Sequence, residues 1–411
     1  MEDRNHENEA VQRFEKMIHD GISYFFDLEE FLDIIDYYIT YGNFNFAHKA
    51  IKLGLAQYVD NVELLMYKTE LLALEGELTE AKKVLDFIKN ISPENPDLPL
   101  LEADIYSRSN MHEMAVNSLI KALKFHPEDT EIFDLLSIEY LYLDEFKKAL
   151  KMSQKSLEIN PNNQAALYNV ISCYDLMDMN DKARGFLENF VDKQPFSEIG
   201  WSLLGKRYLE EEKYDKALEA LDYAIAIDDK FLGAYYDKAY VLTKLKRFEE
   251  AIEFYKITLS ISDPSAFAYY HIAKNHELLN DYDQAVFFYQ KAIYEDPGHY
   301  KSRLRLIALL IKQNKIDEAL QNSYDSVQII PTQELFEQQA QILLIKEDIS
   351  GAIEALEMSL KLGTLKIPVI LLLADLYLKQ GEKEKFRSLL LEARKTYPES
   401  KEIQKKMTDK S

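Results

Sequence analysis

Apolar residues along this chain fall three and four apart in short stretches, and the stretches come in pairs. In residues 248–259, FEEAIEFYKITL, the side chains of Phe248, Ala251, Ile252, Tyr255 and Leu259 share one face of a helix, with charged residues between them. Residues 200–228, GWSLLGKRYLEEEKYDKALEALDYAIAID, hold two such segments split by a polar EEEK. The pattern predicts helix after helix, paired across brief polar turns.

The pairs recur. Pro93, Pro127, Pro161 and Pro195 are spaced by 34 residues, and Pro297, Pro331 and Pro398 belong to the same series with one residue lost between the last two. Alanine keeps the same period at Ala47, Ala81, Ala115, Ala149, Ala183, Ala217, Ala251, Ala285 and Ala319, then at Ala352 after 33, with Phe386 as the exception. Small residues recur twelve positions before these (Ala103, Ser137, Gly205, Ala239, Ala273) and seven after (Gly54, Ala122, Ser156, Ala224, Ala292). Tyrosine recurs nine before, as at Tyr38, Tyr106, Tyr140, Tyr174, Tyr208 and Tyr377. Small side chains let paired helices approach closely, and large aromatics fill the space beside them. Each proline ends a second helix. Two residues past the proline position stand Asp27, Asn61, Asn95, Asp129, Asn163, Ser197, Ser265 and Ser400, and one residue past Pro331 stands Thr332; their side chains suit the N-cap of the next helix.

The spacing Trp201, Leu204, Gly205, Tyr208, Tyr214, Ala217, Ala224 resembles the tetratricopeptide repeat signature. The resemblance implies an all-α, right-handed superhelical solenoid of antiparallel helix pairs. It covers residues 28–400 as eleven repeats starting at Leu28, Val62, Pro96, Thr130, Gln164, Glu198, Leu232, Ala266, Tyr300, Gln333 and Ile367. Residues 1–27 read as an acidic cap segment in which Val11, Phe14 and Ile18 share a face; residues 401–411 read as a C-terminal cap or frayed tail.

Composition narrows the function. Lys and Arg number 49 against 71 Asp and Glu, a formal net charge of -22. A surface of that sign repels phosphate backbones and anionic membranes, so neither nucleic acid nor membrane is an expected partner. The single cysteine, Cys173, excludes an internal disulfide and a cysteine-based zinc site. The acidic N-terminal stretch lacks the pattern of a secretory signal, which makes the cytoplasm the expected location. About 38 residues lie outside the repeats, and no P-loop, nucleophile elbow or dinucleotide loop occurs, so no enzyme activity or cofactor is expected. His271 and His276 of YYHIAKNHE lie five residues apart, about 140° around a helix, and cannot share a metal as i, i+4 histidines do. His276 takes a packing position.

In tetratricopeptide arrays, the resemblance implies, the first helix of each repeat lines a concave groove through repeat positions 2, 5, 6, 9, 12 and 13. At those positions the N-terminal repeats carry Glu63, Glu70, Asp97, Asp104 and Asp134. Repeats 6 to 9 carry Lys206, Tyr236, Tyr240, Lys244, Phe267, Tyr270, His271, Lys274, Lys301, Arg305 and Lys312. The candidate peptide site is Tyr236, Tyr240, Lys244, Phe267, Tyr270, His271, Lys274, Lys301 and Arg305. Its aromatics offer contact area and Arg305 a fork for a carboxylate. Lys301 and Arg305 match half of the clamp with which some members of the family hold a chaperone's C-terminal carboxylate. Tyr236, Tyr240 and His271 replace the other half, so that ligand is not expected. The expected function is a non-enzymatic scaffold or adaptor that holds a protein or peptide partner in its groove, an anionic segment being favoured. The alternatives are a helper subunit of an enzyme or transferase and a peptide-responsive regulator. The oligomeric state is open.

Overall fold

The computed structural model describes residues 2–21, 23–262, 264–364 and 366–408. Its regular elements are 24 α-helices, and no strand occurs among the described residues. The chain divides into two compact units, Met1–Pro195 and Phe196–Ser411.

In the first unit α1 (Glu2–Asp20) precedes five helix pairs. These are α2 (Leu28–Thr40) with α3 (Phe44–Gln57), α4 (Val62–Leu74) with α5 (Leu78–Ile91), α6 (Leu98–Arg108) with α7 (His112–Phe125), α8 (Thr130–Tyr142) with α9 (Phe146–Ile159), and α10 (Gln164–Leu176) with α11 (Asn180–Lys193). The second unit holds six pairs. They are α12 (Glu198–Glu210) with α13 (Tyr214–Ile227), α14 (Leu232–Lys244) with α15 (Phe248–Ile261), and α16 (Ala266–Leu278) with α17 (Tyr282–Glu295). Then come α18 (Tyr300–Lys312) with α19 (Ile316–Ile329), α20 (Gln333–Ile345) with α21 (Ile349–Leu362), α22 (Ile367–Gln380) with α23 (Lys383–Thr396), and the short α24 (Lys401–Thr408). Within each unit a helix packs on its partner and on the first helix of the next pair, as a solenoid requires.

The periodic alanines are where the helices touch. From Ala47 through Ala352 all ten are wholly buried. Gly205 shows the limit of the approach: a Cβ there would lie 2.7 Å from Leu221 Cγ and 3.3 Å from the Ala217 carbonyl oxygen. Where serine replaces the small apolar residue, it is satisfied locally. Ser137 Oγ lies 2.6 Å from Ser153 Oγ and donates to the Ala149 carbonyl at 3.1 Å. Cys173, on α10, is also fully buried, and burial pushes its thiol up to about 11.

The turn inside each pair is uniform. The residue at repeat position 15 has positive φ in all eleven repeats, from Gly42 and Gly76 through Asn110, Asp144, Asp178, Glu212, Lys246, Asn280, Asn314 and Glu347 to Gly381. The next residue's N–H reaches back five positions, as Arg247 N does to the Leu242 oxygen at 2.9 Å. This closes the first helix with a left-handed cap. Glycine stands at only three of the eleven; at the others Asn, Asp and even Glu and Lys are held at φ 55–63° by the bonded turn.

The caps at the other ends follow the sequence pattern with one exception. Asp27 and Glu30 form a reciprocal capping box, and Asn61, Asp129, Asn163, Ser197, Ser265, Thr332 and Ser400 each accept from the first turn of the following helix. Asn95 does not. Its side chain accepts from Asp97 N at 2.9 Å inside a local turn, and α6 begins at Leu98, two residues past the Pro96 of the repeat register. Pro99 then sits at the second helical position, where its missing N–H costs nothing. The prolines of the 34-residue series stand one residue beyond the C-caps Ser92, His126, Asn160, Gln194, Asp296, Ile330 and Tyr397.

Both ends of the chain carry helices that cover apolar faces. On α1, Val11 and Phe14 are buried and Ile18 partly so, with Phe14 set edge-on to Phe26 and Phe46. On α24, Ile403 is fully buried, and Lys406 pairs with Asp375. Residues 409–411 of the sequence-assigned tail lie outside the described residues.

Candidate functional site

The groove positions of the second unit are supplied by α12, α14, α16, α18 and α20. Spacings of three and four residues put Tyr236, Tyr240 and Lys244 on one face of α14, Phe267, Tyr270, His271 and Lys274 on one face of α16, and Lys301 with Arg305 one turn apart on α18. A cavity of about 390 Å³ shows the same register. It is lined by Leu304, Arg305 and Ala308 from α18 and by Glu334, Glu337, Gln338 and Gln341 from α20. All seven occupy repeat positions 2, 5, 6 or 9.

The floor is aromatic. Tyr255 of α15 and Tyr289 of α17 are buried beneath it. Tyr236 stands 6.2 Å from Tyr255 and edge-on to Phe267 at 5.1 Å. His271 stacks on Tyr255 at 5.1 Å and 22°, with the Phe267 ring 4.4 Å away. Tyr270 sits edge-on to His271 and continues the row to Tyr289 and His299 at 5.9 and 5.3 Å. Such contacts fix the rings without consuming the outer face of Phe267, which is 51% exposed.

The charges divide into satisfied and open ones. Burial pushes the His271 imidazole down to about 4, assisted by Lys274, Lys301 and His299. His271 is therefore neutral near pH 7 and belongs to the floor, whereas the sequence places it among the ligand-facing residues. Lys274 and Lys301 form no ion pair among the described residues. Lys244 lies over the Tyr240 ring at 5.2 Å, and the tyrosine hydroxyl beside it raises the ammonium pKa.

Arg305 differs from the sequence expectation. Its Nη1 is 3.5 Å from Glu277 Oε1, and Glu277 Oε2 accepts from the Tyr289 hydroxyl at 2.8 Å. The fork foreseen for a ligand faces an internal carboxylate, because position 12 of one repeat meets position 6 of the next. Beside it Gln338 donates to the Leu304 carbonyl at 3.1 Å, while its buried Oε1 has no protein partner among the described residues.

Reasoning from groove positions misses Tyr255, Tyr289 and His299, which come from second helices and a turn. A signal existed: Tyr255 and Tyr289 are 34 residues apart. His276 stacks on Phe288 at 5.5 Å and 8°, between α16 and α17. No group of three His, Cys, Asp or Glu among the described residues is placed to hold a metal ion. No described helix is long and apolar enough to cross a membrane.

The family model described as "Tetratricopeptide repeat" matches residues 208–271 and 278–321, the stretch that builds this groove. With eleven helix pairs in the same 34-residue register, that decides the family. This chain is a tetratricopeptide repeat protein. Tetratricopeptide repeat proteins act as protein-interaction scaffolds. The chain is 24% identical over 154 residues to anaphase-promoting complex subunit 3 of Schizosaccharomyces pombe, covering 38% of this chain and 23% of that one. It is 23% identical over 176 residues to the human protein O-mannosyl-transferase TMTC3, covering 42% of this chain and 19% of the relative. The chain thus spans less than a quarter of the length of these two relatives. Among solved structures, a tetratricopeptide repeat protein from Parabacteroides merdae aligns at 20% identity with a TM-score of 0.41, covering 61% of this chain and 98% of that one.

Proposed function

We propose that this tetratricopeptide repeat protein is a non-enzymatic scaffold whose second unit holds an acidic, aromatic-tolerant segment of a partner protein across α14, α16 and α18. One observation carries the reading. Lys274 and Lys301 form no ion pairs among the described residues, and they stand beside an aromatic floor in which the His271 imidazole is kept neutral. In a chain of net charge -22, unpaired cations over a desolvated aromatic surface have a use if they meet carboxylates. Tyr236, Tyr240, Phe267 and Tyr270 then supply apolar contact, and Lys244, Lys274, Lys301 and Arg305 read charge. Nucleic acid and membrane are not part of the proposal. Residues 28–400 form the array, with α1 and α24 as its end caps.

The test is titration of fluorescein-labelled peptides built from Glu and Phe, and from Lys and Phe in the same pattern, into the full chain. The acidic peptide binds the native chain. The double substitution Lys274→Glu with Lys301→Glu weakens it by roughly tenfold or more, at unchanged helical circular dichroism. Equal affinity for the native and substituted chains removes the site.

A further inference from the structure

The groove of the first unit has the opposite character. A cavity of about 400 Å³ opens between α4, α6 and α8. Met66, Leu100 and Leu135 furnish apolar walls, and Glu70, Asp104 and Glu131 stand at its edge. The apolar strip runs on along α8 and α10. Leu135, Ile138, Tyr142, Tyr168 and Leu176 occupy groove positions of repeats 4 and 5 and are 37%, 38%, 66%, 46% and 54% exposed. Large side chains exposed in a row on one face are what a solenoid without a partner there would exchange for polar residues.

The charges beside the strip are nearly all of one sign. The groove positions of repeats 1 to 4 hold nine carboxylates and one cation, Arg108, which is already 2.9 Å from both oxygens of Asp104. The Glu70 carboxyl is pushed above its usual range by burial and by Asp104 and Asp36, with Arg108 opposing. Like charges held this close to an apolar cavity cost free energy that a cation placed among them would recover.

We infer that the first unit binds a basic segment of a partner protein, one that sets large apolar side chains into the cavity of α4, α6 and α8 and its Lys or Arg residues against the carboxylates beside it. Successive first helices lie roughly 8–10 Å apart, so a ligand whose apolar side chains recur at about that distance fills one repeat after another. This site does not draw on the aromatic groove of α14, α16 and α18, and either can hold without the other.

Three 18-residue labelled peptides of one pattern test it by fluorescence anisotropy with the full chain at about 0.15 M salt. They are Lys/Leu, Lys/Gln and Glu/Leu. The Lys/Leu peptide binds, and the other two bind weaker by about tenfold or more. Glu63→Lys with Glu131→Lys, both exposed, weakens the Lys/Leu peptide about tenfold, as does Leu135→Gln with Ile138→Gln. Glu219→Lys with Glu253→Lys makes the same change in net charge on second helices of the other unit and leaves affinity within about twofold. Equal binding of the Lys/Leu and Lys/Gln peptides overturns the inference, as does an equal loss in the Glu219 and Glu253 control. Each would reduce the effect to attraction between an acidic chain and any polycation.

Discussion

Arg305 and Glu277 face one another from neighbouring repeats, guanidinium to carboxylate at 3.5 Å, with the Tyr289 hydroxyl held by the same carboxylate. The arginine side chain is 50% exposed, so the pair adds at most about 1 kcal/mol to stability. Its greater effect is on ligands. Glu277 competes with any incoming carboxylate for Arg305. Glu277→Gln should therefore tighten binding of the acidic Glu/Phe peptide by about three- to tenfold. Calorimetric titration of both chains checks this, and a weaker complex would show that Glu277 positions Arg305 instead of blocking it.

The left-handed turns predict gains in stability. Lys246 carries φ 60° and Glu212 φ 58° at positions where Gly42, Gly76 and Gly381 stand in other repeats. Lys246→Gly should raise stability by about 0.5–1 kcal/mol, and Gly381→Ala should lower it by a similar amount. Shifts in the urea midpoint of opposite sign are expected. A destabilised Lys246→Gly chain would mean that the side chain, not the backbone, holds the turn.

Close packing predicts the reverse at Gly205. A valine there would drive a branched side chain into Leu221 and toward the Ala217 carbonyl. Gly205→Val should cost about 1–3 kcal/mol, read as the fall in the thermal midpoint. Gly185, where an added Cβ would meet nothing within 4 Å, is the matched control and should tolerate alanine without loss.

His271 makes stability depend on pH. Its folded pKa of about 4 lies below the ordinary 6.5. Above pH 6.5 the imidazole is neutral in both states, and its contribution is complete. As pH falls from 6.5 toward 4 the unfolded chain takes up a proton that the folded chain refuses, and stability is lost. Between pH 7.5 and pH 5 the native chain should lose about 2 kcal/mol more than His271→Phe, which keeps a ring on Tyr255 but cannot titrate. Urea unfolding at the two pH values measures the difference. Equal losses in the two chains would place the proton elsewhere.

What could be read from the sequence was whatever close helix approach forces on residue type. A wholly buried Ala217 or Ala251 admits almost nothing larger, so the 34-residue period is written in alanine, and the N-caps Asn61 and Asn163 are written in amides. The turns were harder. Position 15 is left-handed in every repeat, but Lys246 and Glu347 do not look it, since hydrogen bonding imposes what glycine would merely permit. Groove positions alone place Phe267, Tyr270 and Lys301 on the faces of α16 and α18, but give neither the buried Tyr255 against which His271 stacks nor the pairing of Arg305 with Glu277. Those depend on contacts between repeats, which a register describes one repeat at a time. The apolar strip through Leu135 and Leu176 carries no charge of its own, so only its acidic neighbours stand out along the chain.

Cys173 turns the chain into its own clock. The thiol is sealed inside α10, and it is the single sulfhydryl in 411 residues. A thiol-reactive dye can label it only during moments when the packing around α10 opens. The labelling rate thus times the local opening of one identified helix, with no engineered cysteine, and its change on adding a peptide would tell whether that peptide steadies the first unit.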